Sequence, residues 1–160
     1  MSTTSAPATS PPAVGTVAPD FTLSSTSGEK VTLSSFRGQQ PVLLAFFPAA
    51  FTSVCTTEMC AFSEDYDRFA EQGVAVLPIS VDATPSLKAY KEQYALKTDL
   101  LSDFRRDVSR AYGVLNEERF NSQRAYFLID RGGIVRWAHV EAHGGFRREN
   151  AEILAEIAKL

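Results

Sequence analysis

Apolar and polar residues alternate in "DFTLSS" (20–25) and "KVTLSSF" (30–36), and "TSGE" between them supplies a glycine-containing turn, which predicts a β-hairpin. The run "PVLLAFF" (41–47) does not alternate, and neither does "VAVLPISVD" (74–82). Continuous apolar runs of this length read as strands covered on both faces. Between them a helix is predicted from about Thr52 to Glu71, and another follows from about Pro85 to Tyr94, with apolar Leu87, Tyr90 and Tyr94. "DLLSD" (99–103) is a short strand or loop, and "FRRDVSRAYGV" is a short helix stopped at Gly113. "RAYFLID" and "IVRWAHV", joined by "RGG", give a second hairpin. The last segment, about Arg147 to Lys159, is a helix with apolar Ile153, Leu154, Ile157 and Leu160 on or beside it.

The order β-β-β-α-β-α-(β)-α-β-β-α combines βαβ crossovers, which place strands parallel and helices on both faces, with a terminal hairpin. The fold class is therefore α/β: a mixed central sheet flanked by helices, with an N-terminal β-hairpin extension. This arrangement is similar to the thioredoxin-like architecture.

Composition narrows the classes. The 160 residues, 44% apolar and 22% charged, suit one ordinary soluble domain, expected over residues 14–160. Residues 1–13, "MSTTSAPATSPPA", read as a flexible tail without the apolar core of a secretory signal. A net charge of −3 with no basic stripe argues against a nucleic acid or an anionic membrane surface as partner. The longest apolar run, "PVLLAFFPAAF", falls short of the roughly 20 residues needed to span a bilayer. A cytoplasmic location is expected, and there a cysteine pair is more often catalytic or metal-binding than a staple.

Both cysteines, Cys55 and Cys60, lie in "FFPAAFTSVCTTEMC" (46–60), where a strand gives way to a helix. The first turn of a helix presents unpaired N–H groups and the positive end of the macrodipole, and both favour a thiolate over a thiol. Cys55 is placed for that activation; Cys60 lies a turn or more deeper. Thr52 can cap the helix or donate to a bound oxygen, and Pro48 ends the strand and can shield a reactive sulfur from water.

The pattern Pro48, Thr52, Cys55 resembles the signature of the peroxiredoxins, thiol peroxidases built on a thioredoxin-like fold. "APDFTL", "VLPISVD", "LLSDF", "AYGV" and "FLIDRGGIVR" are similar to peroxiredoxin segments in the same order, over roughly residues 14–140. The resemblance implies that Cys55 attacks hydrogen peroxide or an organic hydroperoxide and becomes a sulfenic acid. It implies that Thr52 hydrogen-bonds the peroxide, that Pro48 limits solvent access, and that Arg124 holds the thiolate and the charge on the leaving oxygen. Glu58, a frequent feature of the motif, would orient the site's hydrogen bonds. No cofactor is required; thioredoxin or another thiol would be the reductant, and the protein a monomer or homodimer.

Cys60 would be the resolving cysteine, as in the bacterioferritin-comigratory or plant Q type. Residues five apart in an α-helix have Cα atoms about 8 to 9 Å apart, whereas a disulfide needs less than about 7 Å. The segment from Thr52 to about Ser63 is therefore expected to unwind on oxidation. "LLSDF" and "AYGV" also resemble the one-cysteine alkyl hydroperoxide reductase E branch, in which an external thiol resolves the sulfenic acid and Cys60 would be a packing residue.

Other readings use the same residues differently. Buried cysteines can serve as small hydrophobes, a glutamate early in a helix usually faces solvent, and Arg124 can be a plain surface charge. Arg147 and Arg148 read as the start of the final helix. Cys55 and Cys60 with His139 and His143 have ligand spacings compatible with structural zinc. A thioredoxin-fold binding module without catalysis would make no joint use of Thr52, Cys55 and Arg124.

Overall fold

A computed structural model describes residues 10–160. The first nine residues of the expected tail lie outside the described part. The elements run β1 (Thr22–Ser25), β2 (Lys30–Thr32), a 3-10 turn (Leu33–Phe36), β3 (Val42–Phe46), α1 (Ser53–Glu64), α2 (Tyr66–Glu71), β4 (Ala75–Ser80) and α3 (Thr84–Tyr94). They continue β5 (Leu101–Ser102), α4 (Asp107–Ala111), β6 (Leu115–Asn116), β7 (Asn121–Ser122), β8 (Ala125–Ile129), β9 (Val135–Val140) and α5 (Asn150–Ile157).

The expected mixed sheet forms, with seven strands in the order β2-β1-β5-β4-β3-β8-β9. β3 is central: Leu44 pairs with Leu77 of the parallel β4 on one side and with Phe127 of the antiparallel β8 on the other. Its lack of alternation has a simple cause. Leu43, Ala45 and Phe47 face a core with α1, α2, α3 and α5, while Val42, Leu44 and Phe46 face a second core with α4. Both faces of the strand are dry, so both sets of positions must be apolar.

The structure corrects the sequence reading in four places. The strand expected over "KVTLSSF" ends at Thr32, because Ser35 turns its hydroxyl back to the Thr32 carbonyl (2.6 Å) and Asp20 accepts the Ser34 N–H (2.8 Å). These local bonds compete with the ladder and tighten the chain into a 3-10 turn. The single helix expected from Thr52 to Glu71 breaks at Asp65. There the Asn150 amide donates to the Ala61 carbonyl and to the Asp65 carboxylate, both at 2.9 Å. The last helix begins at Asn150, leaving Arg147 and Arg148 in the preceding loop. A small hairpin, β6 with β7, forms where no element was expected.

Candidate active site

The site is built at the C-terminal end of β3. Beyond Phe47 the chain turns through Pro48, and the turn is held by Asp82, just past β4, whose carboxylate accepts the Ala50 N–H (2.9 Å) and the Ser80 hydroxyl (2.7 Å). Phe51 then adopts φ 65°, a left-handed conformation uncommon for a bulky residue. Such strain persists where the surroundings over-determine it, and here the Phe51 ring packs 4.9 Å from that of Tyr90.

Thr52 occupies the N-cap position of α1 with extended backbone, but its hydroxyl makes no capping bond. It donates instead to the Ala49 carbonyl at 2.7 Å. The first i to i−4 bond of the helix runs from the Thr56 N–H to the Thr52 carbonyl (2.9 Å), so the earlier amides, that of Cys55 included, lie in the turn that has no intrahelical acceptor. Cys55 is 1% exposed, Pro48 half-buried and Thr52 exposed.

Arg124 reaches Cys55 from across the sheet. It immediately precedes β8, is 2% exposed, and donates from Nη2 to Cys55 Sγ at 3.1 Å and to the Gly144 carbonyl at 3.2 Å. Its Nη1 donates to Glu58 Oε1 at 2.7 Å. Glu58 therefore does not face solvent; it is as buried as Cys55 and one helical turn below it. Burial is the largest influence on both ionic groups. It pushes the Glu58 carboxyl above its ordinary value, against the pull of Arg124 and Tyr126. It also opposes the charge on Arg124, but Glu58 and Cys55 outweigh it and hold the guanidinium above its ordinary value. A guanidinium that stays charged in the core needs a close partner, and the Glu58 carboxyl is that partner.

Three residues without a role in the sequence reading, Tyr126, Glu141 and Ser122, complete the network. Tyr126 donates its hydroxyl to Glu58 Oε2 and accepts the Arg148 N–H at 3.0 Å. Its position two residues after Arg124 in a strand was the available signal, since that spacing puts both side chains on one face. Arg148 in turn pairs with the buried Glu141 at 2.8 Å. Ser122, in the unexpected β7, donates to the Phe47 carbonyl at 2.9 Å and ties the segment leading to Arg124 onto the end of the central strand region.

Cys60 is half-buried beside the core and forms no disulfide. With α1 continuous through both cysteines, their Cα atoms are about 8 to 9 Å apart. The zinc alternative is not assembled: His139 is bound to Glu141 and His143 accepts the Gly145 N–H, and among the described residues no three His, Cys, Asp or Glu side chains cluster to hold a metal. No helix among the described residues is long and apolar enough to cross a membrane.

A helix-start cysteine held by a buried arginine stands on a mixed sheet with helices on both faces, and the arrangement is that of the thioredoxin fold. Residues 14–138 match the AhpC/TSA family, and the chain belongs to that family, a peroxiredoxin of the peroxidase class of oxidoreductases. It is 41% identical over 136 residues to alkyl hydroperoxide reductase E of Mycobacterium tuberculosis, covering 84% of this chain and 89% of that protein. It is 40% identical over 124 residues to the chloroplastic peroxiredoxin Q of Suaeda salsa, covering 76% of this chain and 57% of that one. The reduced 2-Cys peroxiredoxin of Plasmodium vivax superposes with a TM-score of 0.85 at 34% identity, covering 92% of this chain and 81% of its own. Peroxidoxin BcpB of Mycobacterium tuberculosis gives 0.83 at 28% identity, covering 92% and 97%.

Proposed function

We propose that this peroxiredoxin reduces hydrogen peroxide and organic hydroperoxides through a sulfenic acid on Cys55. The observation that carries this reading is the 3.1 Å hydrogen bond from the buried Arg124 to Cys55 Sγ, with Glu58 holding the same guanidinium from its other side. The Cys55 thiolate attacks the terminal oxygen of the peroxide; an S–O bond forms, the O–O bond breaks, and the remaining oxygen leaves as hydroxide or alkoxide and takes up a proton. Negative charge thus moves from the sulfur to the departing oxygen. Arg124 and the free amides of the first turn of α1 stabilise that charge at both ends, and because they are fixed in place no reorganisation is needed during the step. Thr52 turns its hydroxyl from the Ala49 carbonyl toward the incoming peroxide, and Pro48 keeps bulk water from the sulfur.

Cys60 then resolves the sulfenic acid: its sulfur bonds to that of Cys55 and the hydroxyl leaves as water with the Cys60 proton. A dithiol such as thioredoxin reduces the disulfide, in a reducing compartment such as the cytoplasm, with the protein a monomer or homodimer. A second reading has an external thiol in place of Cys60. It is favoured by α1 itself, whose Met59 and Phe62 are fully buried and resist unwinding of the whole helix. Peroxide consumption by the wild type, Cys55→Ser and Cys60→Ser tests both. Cys55→Ser should be inactive with every reductant. Cys60→Ser should keep activity with a monothiol and lose it with thioredoxin; full activity with thioredoxin would overturn the resolving role of Cys60.

A further inference from the structure

Helix α1 is not held equally along its length. Its second half is anchored several times over: Glu58 by Arg124 and Tyr126, Met59 and Phe62 by the core, the Ala61 carbonyl by Asn150, and the Ser63 hydroxyl by the Lys97 N–H at 2.9 Å. The first half is mostly exposed or half-buried, Cys55 excepted. Among the described residues, only two polar side-chain contacts tie it to the rest of the fold, that from Arg124 to Cys55 and that from the Tyr90 hydroxyl to Thr56 Oγ1 at 3.0 Å. Opening residues 53–57 alone costs little core, and an extended stretch of about 3.3 to 3.6 Å per residue would let Cys55 swing to Cys60 while Glu58 stays in place.

Tyr90 is built for control of that opening. It lies in α3, is fully buried, packs on Phe51 just before the helix (4.9 Å) and hydrogen-bonds Thr56 just after Cys55, so it grips the chain on both sides of the sulfur. Burial pushes its hydroxyl up to about 12, which keeps it a proton donor across the working pH range. We infer that Tyr90 is the latch on the Cys55 turn: its hydrogen bond to Thr56 sets how often residues 53–57 open, and so the rate at which the Cys55 sulfenic acid reaches Cys60. The inference rests on the proposed resolution by Cys60. It makes Tyr90 a positioning residue for the resolving step, which condenses Cys55–SOH with Cys60–SH into a disulfide and water. A tighter latch lengthens the life of the sulfenic acid, which a second peroxide can oxidise to sulfinic acid.

The test compares Tyr90→Phe, which keeps the ring, and Thr56→Val, which keeps the shape, in the full chain. Amide hydrogen exchange of Thr56 and Thr57, whose N–H groups have intrahelical acceptors, reads the opening directly in the reduced protein. Mass spectrometry after one equivalent of hydrogen peroxide reads the rate of disulfide formation and the sulfinic fraction. Each variant should raise exchange and disulfide rate by about three- to tenfold, the effect of losing one hydrogen bond, and lower the sulfinic fraction. The double variant should do no more than either single one. Unchanged exchange at Thr56 and Thr57 would overturn the latch, and so would faster exchange without faster disulfide formation. Faster exchange with no disulfide in any of the proteins, wild type included, would instead bring down resolution by Cys60, and the role of the latch with it.

Discussion

The Arg124 guanidinium and the Glu58 carboxylate meet at 2.7 Å with both side chains only 1% exposed. Neither could be buried alone, so each is the condition for the other. Arg124→Met should therefore destabilise the fold by about 3 to 5 kcal/mol, because Glu58 is left buried without its ionic partner. Arg124→Met with Glu58→Gln should recover most of that stability in urea titrations. It should not recover the peroxide reaction, which is expected to stay down by about 10² to 10³ in stopped-flow measurements. Recovery of the rate together with the stability would show that Arg124 serves the fold and not the chemistry.

The Thr52 hydroxyl donates to the Ala49 carbonyl rather than capping its helix, which leaves it free to turn toward a peroxide at the cost of one exposed bond. Thr52→Val should slow Cys55 oxidation by about 10²-fold, and Thr52→Ser should restore most of the rate. Equal rates for the two variants would remove the hydroxyl from the mechanism.

Tyr126 is the second donor to Glu58, and burial keeps its phenol protonated at every working pH. Tyr126→Phe keeps the ring beside Trp137 and removes only the oxygen. Losing the bond to Glu58 together with the acceptor of the Arg148 N–H predicts a stability decrease of about 1.5 to 3 kcal/mol, seen as a lower urea midpoint with an unchanged slope.

Asp103 is buried away from the cysteines and accepts the Val108 and Ser109 N–H groups and the Ser109 hydroxyl. Burial raises its carboxyl above the ordinary value despite those bonds. The folded chain thus holds that proton more tightly than the unfolded chain. The stabilisation is complete below the unfolded value of about 3.9, and it is lost as pH rises through the folded value. The stability gap between wild type and Asp103→Asn, followed by denaturation from acid to neutral pH, should accordingly be widest in acid and narrow toward neutrality. A gap that widens with pH would contradict this.

Much of the fold was legible because burial leaves a mark on every residue of a central strand. "PVLLAFF" had to be apolar throughout once both faces of β3 were covered, and "RAYFLID-RGG-IVRWAHV" had to turn at its glycines. Helix ends were less legible, because they depend on partners distant in sequence. The break at Asp65 needs the Asn150 amide, and the late start of α5 leaves Arg148 free to pair with Glu141. Neither bond has any local signature.

By itself the sequence determined the sheet, the helix start that presents Cys55, and the resemblance that singled out Pro48, Thr52, Arg124, Glu58 and Cys60. The sheet and the helix start are properties of short segments, written in periodicity and spacing, whereas the site residues are what the family resemblance implies. Only the tertiary structure decided that Glu58 faces the core, that Arg124 bridges it to Cys55, and that Tyr126 and Tyr90 grip the same helix from the sheet and from α3. A charge enters the core only when another is waiting there, and residues 66 or 68 positions apart become partners only once the sheet has brought β8 beside the strand that feeds α1.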